Sequence, residues 1–198
     1  GIDFGTKSTV VAYQENNTDI HLMRVGITDH TKAPEIYHYE NPTIIEFNNI
    51  LQFLKDYKSS DGRPLTKWRD LTISHTAASS LNNSKSNDFN TFLSELKQWA
   101  GTKGKKLKIK DKKDFVLDID AFLDIKEEDF NPIEIYAYML GLNINNQRNG
   151  IYLNYILSFP VTYELEIRDK IIESFKKSIK KSLHIELHLQ KDVIEKLD

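Results

Sequence analysis

The chain has 198 residues, of which 39% are hydrophobic and 28% charged, and its formal net charge is −2. This length suits one large domain or two small ones and is enough to bury a substantial core. No apolar stretch approaches the ~18 residues that a membrane helix requires, and the near-neutral charge argues against a nucleic-acid partner. The absence of cysteine excludes a disulfide scaffold and thiol catalysis and fits a reducing compartment. We therefore expect neither a membrane nor a nucleic acid as partner.

The first 25 residues predict three sequential strands. Gly1–Phe4 and Thr9–Tyr13 are short apolar or β-branched runs, and the glycine-containing turn Gly5–Ser8 separates them. Ile20–Val25 follows a polar turn cluster and predicts a third strand. Sequential strands joined by tight turns are expected to be antiparallel. The chain begins at Gly1 inside a strand-like run, so we expect it to be part of a longer protein.

The rest of the chain mixes strand and helix patterns. In chain order we predict a strand at Pro42–Phe47, a polar loop at Ser79–Asn87, a helix at Phe89–Trp99 and a hairpin of Leu107–Lys110 with Phe115–Ile119. A helix at Ile133–Leu142 follows, opened by Asn131 and Pro132. The last two predicted elements are a strand buried on both faces at Ile151–Phe159, ended by Pro160, and an amphipathic helix at Glu164–Ser182. This order of elements predicts an α/β chain.

The turn after the first strand carries the side chains best suited to binding chemistry. Gly5 allows the backbone to approach a ligand closely, and successive N–H groups of such a turn can converge on an anion. Thr6, Lys7 and Ser8 add hydrogen-bond donors. Asp3 lies at the end of the strand, where it could hold a hydrated Mg²⁺. The spacing alone favours a plain hairpin turn beside a solvated carboxylate, because short Gly-Thr turns are common.

The segment Gly1–Ala12 (GIDFGTKSTVVA) resembles the first phosphate motif of the heat-shock-70 chaperones, which are members of the actin-like ATPase superfamily. The turn by itself would also suit actin-like filament proteins or sugar kinases. Further segments in the same order are similar to the family's proline-bearing strand, its lysine-containing helix, a helix start and its strand–proline–helix segment. These segments are Asn41–Phe47, Leu96–Gly101, Phe130–Glu134, and Ser158–Tyr163 followed by Arg168. Together they extend the resemblance over nearly the whole chain.

The resemblance implies a ribonuclease-H-like lobe of the actin and heat-shock-70 ATPase fold, with three antiparallel strands, helices and one strand–proline–helix unit. It assigns residues 1–38 and 129–198 to the first half of the lobe core and residues 39–128 to an inserted mixed α+β subdomain. The opposing half of the phosphate clasp is expected outside this chain. The chain alone is therefore expected to bind ATP poorly and to hydrolyse it negligibly.

The resemblance also implies a site for ATP or ADP with Mg²⁺. Asp3 and Lys97 would be the catalytic residues, Asp3 holding the Mg²⁺ through water and Lys97 reaching the γ-phosphate. The residues that would line the phosphates are Gly5, Thr6, Lys7 and Ser8. These residue types suit phosphoryl transfer, which depends mainly on positioning and on neutralising charge. On pattern alone, Lys97 is a solvated helix lysine.

Three further positions affect the functional interpretation. Pro160 and Arg168 resemble the proline and arginine of the family's allosteric switch. On local pattern alone, however, Pro160 is a strand terminator and Arg168 a surface charge. Lys7 departs from the family, in which a threonine or a small residue is usual. It adds a positive charge beside the phosphates, which could tighten nucleotide binding or displace the metal.

The function that the resemblance implies is that of the amino-terminal part of a cytoplasmic heat-shock-70-like chaperone ATPase. Its partners would be ATP, unfolded polypeptide clients and co-chaperones. A non-hydrolysing nucleotide-binding scaffold is the first alternative, because of the departure at Lys7. A filament protein or a sugar kinase of the same superfamily is the second.

Overall fold

The computed structural model describes residues 1–16, 18–27, 31, 33–147, 151–158 and 163–188. It shows a mixed α/β protein. Its strands are β1 (Ile2–Phe4), β2 (Ser8–Tyr13), β3 (His21–Met23), β4 (Asn41–Pro42), β5 (Ile45–Phe47), β6 (Leu71–Ile73), β7 (Phe92–Leu93), β8 (Leu107–Lys110), β9 (Val116–Ile119) and β10 (Leu157–Ser158). Its helices are α1 (Ile50–Tyr57), α2 (Ser74–Asn82), α3 (Leu96–Gly101), α4 (Pro132–Gln147), α5 (Leu165–Lys181) and α6 (Ile185–His188).

The first sheet has the strand order β10-β1-β2-β3, and β4 pairs with the start of β2. The strand β1 is antiparallel to β2 and parallel to β10, and β2 is antiparallel to β3. In β1, Ile2 and Phe4 are buried and Asp3 between them is exposed, as the two-residue period of a strand requires. The prediction of three sequential antiparallel strands is therefore confirmed.

Two smaller sheets lie in the middle of the chain. The strands β6, β5 and β7 form an antiparallel sheet, and β8 and β9 form the predicted hairpin. The turn of this hairpin contains the buried Asp111. Its carboxylate accepts hydrogen bonds from the N–H groups of Ile50 (2.8 Å), Lys113 (2.8 Å) and Phe115 (3.0 Å). Asp111 thereby ties the hairpin to the first turn of α1.

The helices α4 and α5 pack against each other and against the first sheet. The ring of Phe4 in β1 lies 5.9 Å from that of Tyr136 in α4 and 5.1 Å from that of Phe175 in α5. The side chain of Asn131 accepts the N–H of Ile133 (3.0 Å), which explains why α4 begins there. The predicted helices at Ile133–Leu142 and Glu164–Ser182 are confirmed, the first with a longer carboxyl-terminal part.

The prediction of a long buried strand at Ile151–Phe159 is wrong for most of its length. Only Leu157 and Ser158 form a strand, and residues 151–156 have no regular structure. Ile156 is 76% exposed. Among the described strands, β10 pairs with β1 alone, so an apolar run at a sheet edge was mistaken for a central strand. Phe159 and Pro160 lie outside the described residues.

Two predictions in the middle of the chain also need correction. The predicted helix at Phe89–Trp99 begins only at Leu96, because Phe92 and Leu93 pair with β5 instead. Long-range pairing overrides the helical period at these two residues. The predicted polar loop at Ser79–Asn87 is helical as far as Asn82, because α2 is anchored by the buried Ser74 and Ala77 at its amino end.

The predicted strand at Pro42–Phe47 is divided between two sheets. Its start lies in β4 of the first sheet and its end in β5 of the second. Thr43 and Ile44 connect them, and the N–H of Thr43 donates to the carbonyl of Lys7 (2.9 Å). The chain therefore passes from the first sheet to the second directly beside the turn that contains Lys7. The proposed division into residues 1–38 with 129–198 and residues 39–128 stays a prediction.

No described helix is both long enough and apolar enough to cross a membrane.

The second sheet contains a buried carboxylate whose pairing gives a stability prediction. The Glu46 side chain is 2% exposed and accepts a hydrogen bond from the hydroxyl of Thr72 (2.6 Å). It also forms an ion pair with Lys112, whose side chain is 42% exposed. Replacing Lys112 with methionine should lower the free energy of unfolding by about 2 kcal/mol, because the buried carboxylate loses its counter-ion. Urea denaturation measures this loss.

The control is Lys108→Met in the same hairpin. The Lys108 ammonium lies 3.9 Å from Asp118, and both side chains are largely exposed, so this change should alter the free energy of unfolding by less than about 0.5 kcal/mol. Adding Glu46→Gln to Lys112→Met should restore most of the lost stability. Equal effects of the two lysine substitutions would contradict the prediction.

Candidate functional site

The candidate site is the bend between β1 and β2. A Cβ atom added to Gly5 would lie 2.1 Å from the carbonyl oxygen of Ser8, far inside van der Waals contact, so the bend requires glycine at this position. No residue in the described part of the chain accepts a hydrogen bond from the backbone N–H of Thr6 or Lys7. These N–H groups are therefore available to an anion.

Buried polar side chains hold the bend in place. Thr43, which is buried, donates its hydroxyl to the carbonyl of Gly5 (3.0 Å) and its N–H to that of Lys7 (2.9 Å). Its hydroxyl also lies 2.9 Å from that of Thr9, which accepts a hydrogen bond from Tyr136 of α4 (3.0 Å). The carbonyl groups of the bend are thus turned toward the protein, and its geometry is tied to the helix layer.

Asn41 performs a similar role one residue before β4 ends. Its amide nitrogen donates to the carbonyls of Thr9 (3.0 Å), Met23 (3.0 Å) and Tyr39 (3.2 Å). Its oxygen accepts the N–H of Val25 (2.6 Å). Asn41 is fully buried, so this one side chain supplies partners for backbone groups that water cannot reach. It joins β2, β3 and the chain that leads to Thr43.

Lys97 lies at the base of the bend. It is the second residue of α3 and is 2% exposed, and its ammonium donates a hydrogen bond to the carbonyl of Phe4. The same nitrogen lies 5.6 Å from the centre of the Phe4 ring. The hydroxyl of Tyr163 donates to the backbone carbonyl of Lys97 (2.9 Å) and so helps to hold α3. The interpretation of Lys97 as a solvated helix lysine is therefore wrong.

Asp3 carries a carboxylate near enough to this ammonium to interact with its charge. Its side chain is exposed, and the hydroxyl of Ser158 lies 3.4 Å from one carboxylate oxygen. Its charge acts to raise the pKa of Lys97. An exposed carboxylate is the kind of ligand that suits Mg²⁺, which is commonly held by one or two carboxylates together with waters and phosphate oxygens. Within the described ranges, no group of three or more histidine, aspartate or glutamate side chains could hold a metal.

The structure brings together the bend residues, Asp3 and Lys97. Of the two predicted switch residues, Arg168 is described, and no described contact of its side chain joins it to them. Arg168 lies in α5, where its ion-pair partner among the described residues is Asp169 at 3.9 Å, and no described hydrogen bond connects its side chain to the bend. Pro160 lies outside the described residues.

Sequence reasoning missed the residues that support the bend. Thr43 and Asn41 were noticed only as part of a strand, and no role was predicted for Tyr163. One sequence signal pointed to them: the polar residues of Asn41–Thr43 directly precede the apolar Ile44 and Ile45 in a predicted strand. Polar side chains that become buried in a strand need hydrogen-bond partners, so this pattern indicates a structural role. Their target, the bend more than thirty residues earlier, could not be found from local spacing.

No family model matches this chain, and no curated protein matches it significantly. The sequence resemblance to heat-shock-70 chaperones is therefore still a prediction. The functional interpretation depends on that resemblance together with the geometry of the bend.

The environment of Lys97 predicts a specific pH dependence. Burial lowers the pKa of its ammonium below the usual 10.5, and Asp3 opposes this shift. At pH values between the lowered pKa of Lys97 in the folded chain and its usual pKa in the unfolded chain, the unfolded chain binds more protons. The free energy of unfolding therefore rises with pH over this range. Lys97→Met removes this contribution. As the pH approaches 10.5, the wild type should therefore gain stability relative to the variant.

Urea denaturation of both proteins at a series of alkaline pH values measures the difference. If the two stability curves stay parallel over this range, the Lys97 ammonium is not desolvated in solution.

Proposed function

We propose that this chain is the amino-terminal part of a heat-shock-70-like chaperone ATPase and that its bend binds the β- and γ-phosphates of ATP. The observation that carries the proposal is the placement of Lys97, whose buried ammonium lies at the carbonyl of Phe4, 93 residues earlier in the chain. Desolvating an ammonium costs free energy, and groups placed at such a cost are concentrated at functional sites. Here the ammonium adjoins the bend and interacts with the charge of Asp3. The order of the first sheet and the helix pair behind it support a ribonuclease-H-like lobe.

Each residue has a distinct role in this proposal. The N–H groups of Thr6 and Lys7 receive phosphate oxygens, and Gly5 permits their close approach. Lys97 places a positive charge where negative charge accumulates as the γ-phosphate is transferred. Asp3 would hold Mg²⁺ through water, and the metal when bound would neutralise phosphate charge. Cytoplasmic location, unfolded polypeptide clients and co-chaperones belong to the same proposal.

The binding step is tested on this chain by following backbone amide NMR signals during titration with Mg-ATP. We expect shifts centred on residues 5–8, with an affinity that is weak because one lobe supplies only half of a clasp. Lys97→Ala and Asp3→Asn should each weaken this binding about tenfold, the effect of about 1.4 kcal/mol. Lys108→Ala, which removes an exposed lysine elsewhere, is the matched control.

The catalytic step is tested in a longer form of the protein that carries the opposing phosphate hairpin. In single-turnover assays, both Lys97→Ala and Asp3→Asn should abolish ATP hydrolysis. Unchanged turnover in either variant would overturn the site assignment. Shifts scattered over the surface of this chain, with none at the bend, would overturn the binding proposal itself.

The exposed ammonium of Lys7 favours one alternative, a nucleotide-binding scaffold that does not hydrolyse ATP. A fixed positive charge beside the phosphates can take the place of metal charge without supporting catalysis. Tight Mg-ATP binding without turnover in the longer protein would support this alternative. ATP-dependent polymerisation would instead indicate a filament protein, and ADP release stimulated by a sugar would indicate a sugar kinase.

A further inference from the structure

The helix α3, which carries Lys97, is too short to fix its own position. It has six residues, and the side chain of Glu95 before it makes no capping hydrogen bond, so its placement depends on tertiary contacts. One anchor is the fully buried Trp99, whose indole nitrogen donates to the carbonyl of Lys105 (2.8 Å) and whose ring lies 5.5 Å from that of Phe122. These contacts attach the helix to the segments that flank the β8–β9 hairpin.

The second anchor of α3 is the segment just before α5. The hydroxyl of Tyr163 donates to the carbonyl of Lys97 (2.9 Å), which is the second residue of α3. A Cβ atom added to Gly101, the last residue of α3, would lie 2.8 Å from Cε1 of Tyr163, so the ring lies directly against the helix end. Next to Tyr163, Glu164 forms an ion pair with Lys103 (2.7 Å). The start of α5 therefore contacts both ends of α3.

Lys97 is consequently held at two points. Its backbone carbonyl accepts the hydroxyl of Tyr163, and its buried ammonium donates to the carbonyl of Phe4. Because the side chain between these points has a fixed length, a shift of the helix backbone moves the ammonium relative to the bend. Phosphoryl transfer depends mainly on the positions of charged groups, and a misplacement of about 1 Å can lower a rate about 100-fold.

We propose that Tyr163 is a positioning residue, which sets the place of the Lys97 ammonium for phosphoryl transfer. This inference rests on the proposed function of the bend and of Lys97. Tyr163→Phe removes the hydroxyl and leaves the ring against Gly101. Gly101→Ala disturbs the same contact from the opposite side, because the added Cβ atom displaces the end of the tyrosine ring and moves its hydroxyl. Both variants keep the Lys97 side chain itself.

The first measurement separates positioning from binding. In the longer form of the protein that carries the opposing phosphate hairpin, Tyr163→Phe and Gly101→Ala should each lower the single-turnover rate of ATP hydrolysis about tenfold. In the amide titration of this chain, each should change the affinity for Mg-ATP less than about twofold, because the positive charge of Lys97 is still present. Lys97→Ala, which removes that charge, should weaken both hydrolysis and binding.

The second measurement is an NMR titration of the lysine side chains in this chain. Burial lowers the pKa of Lys97, so an ammonium displaced toward water should show a pKa nearer to 10.5 in both variants. Tyr138→Phe is the matched control, because it removes a buried hydroxyl that contacts Thr66 (2.8 Å) and the carbonyl of Pro64 (3.2 Å), neither of which belongs to the site. This control should lose stability without changing the rate or the pKa of Lys97.

The outcomes separate this inference from the proposed function. A slower reaction in Tyr163→Phe and Gly101→Ala, together with a raised pKa of Lys97, supports the inference. If Tyr163→Phe loses stability but keeps the wild-type rate and the wild-type pKa of Lys97, the hydroxyl serves the fold alone and the inference is overturned. The proposed function survives that result if Lys97→Ala still abolishes hydrolysis. If Lys97→Ala leaves hydrolysis unchanged, the proposed function fails and the inference fails with it.

Discussion

Replacing Asn41 with alanine should lower the free energy of unfolding by about 4 kcal/mol. The side chain lies within hydrogen-bond distance of four backbone groups, those of Thr9, Met23, Tyr39 and Val25, and it is fully buried. Because the amide nitrogen has two hydrogens for three carbonyl groups, these contacts amount to three full hydrogen bonds. Each such bond contributes about 1 kcal/mol, and alanine leaves the backbone partners unpaired where water cannot replace the amide. The loss is therefore among the largest expected for a single polar residue.

Urea denaturation of the variant measures this loss, and Asn83→Ala is the control. Asn83 is exposed and donates one hydrogen bond, to the carbonyl of Ser79 (2.8 Å), so its replacement should change the free energy of unfolding by less than about 0.5 kcal/mol. Because Asn41 joins β2, β3 and the segment before Thr43, its loss should also shift the amide signals of the bend. A loss of less than about 1 kcal/mol would show that the network does not form in solution.

Gly5→Ala should disrupt the bend itself. The added Cβ would lie 2.1 Å from the Ser8 carbonyl oxygen, which is backbone and cannot rotate away as a side chain would. The bend must open to relieve the contact, which should cost about 2–3 kcal/mol of unfolding free energy, as other backbone distortions do. The positions of the Thr6 and Lys7 N–H groups would then change, so we expect Mg-ATP binding to fall at least tenfold.

The control for this change lies at the other end of β1, since Gly1 precedes this strand and Gly5 follows it. A Cβ atom added to Gly1 meets nothing within 4 Å, so Gly1→Ala should leave both stability and binding nearly unchanged. Stability is measured by urea denaturation and binding by the amide titration. If Gly5→Ala folds with wild-type stability and binds Mg-ATP normally, the bend is not the phosphate site.

Local pattern was sufficient where an element is held mainly by its own period. The alternation in β1 and β2, the turn between β8 and β9 and the apolar face of α5 all predicted the observed structure. In the site, Gly5 and its neighbours were identified from turn chemistry alone. These features depend on interactions between residues a few positions apart, so a short stretch of sequence is enough to predict them.

Long-range contacts determined the remaining features. Phe92 and Leu93 have a helical period but pair with β5, and Ile151–Ile156 have a strand composition but lie at a sheet edge that pairs only Leu157 and Ser158. The environment of a residue in a sheet depends on which strand pairs with its own. The residues next to it in the sequence do not specify that partner strand.

The candidate site shows the same division. Composition and spacing identified a glycine turn with donors and a carboxylate, which describes the chemistry of a phosphate site but also that of a common hairpin. The residues that the packed molecule adds to this turn come from distant parts of the chain: Thr43 fixes the carbonyls of the bend, and Lys97 brings a buried ammonium to its base. A buried charge is tolerated only when folding supplies its partners, and this is why its position emerges from the packed molecule.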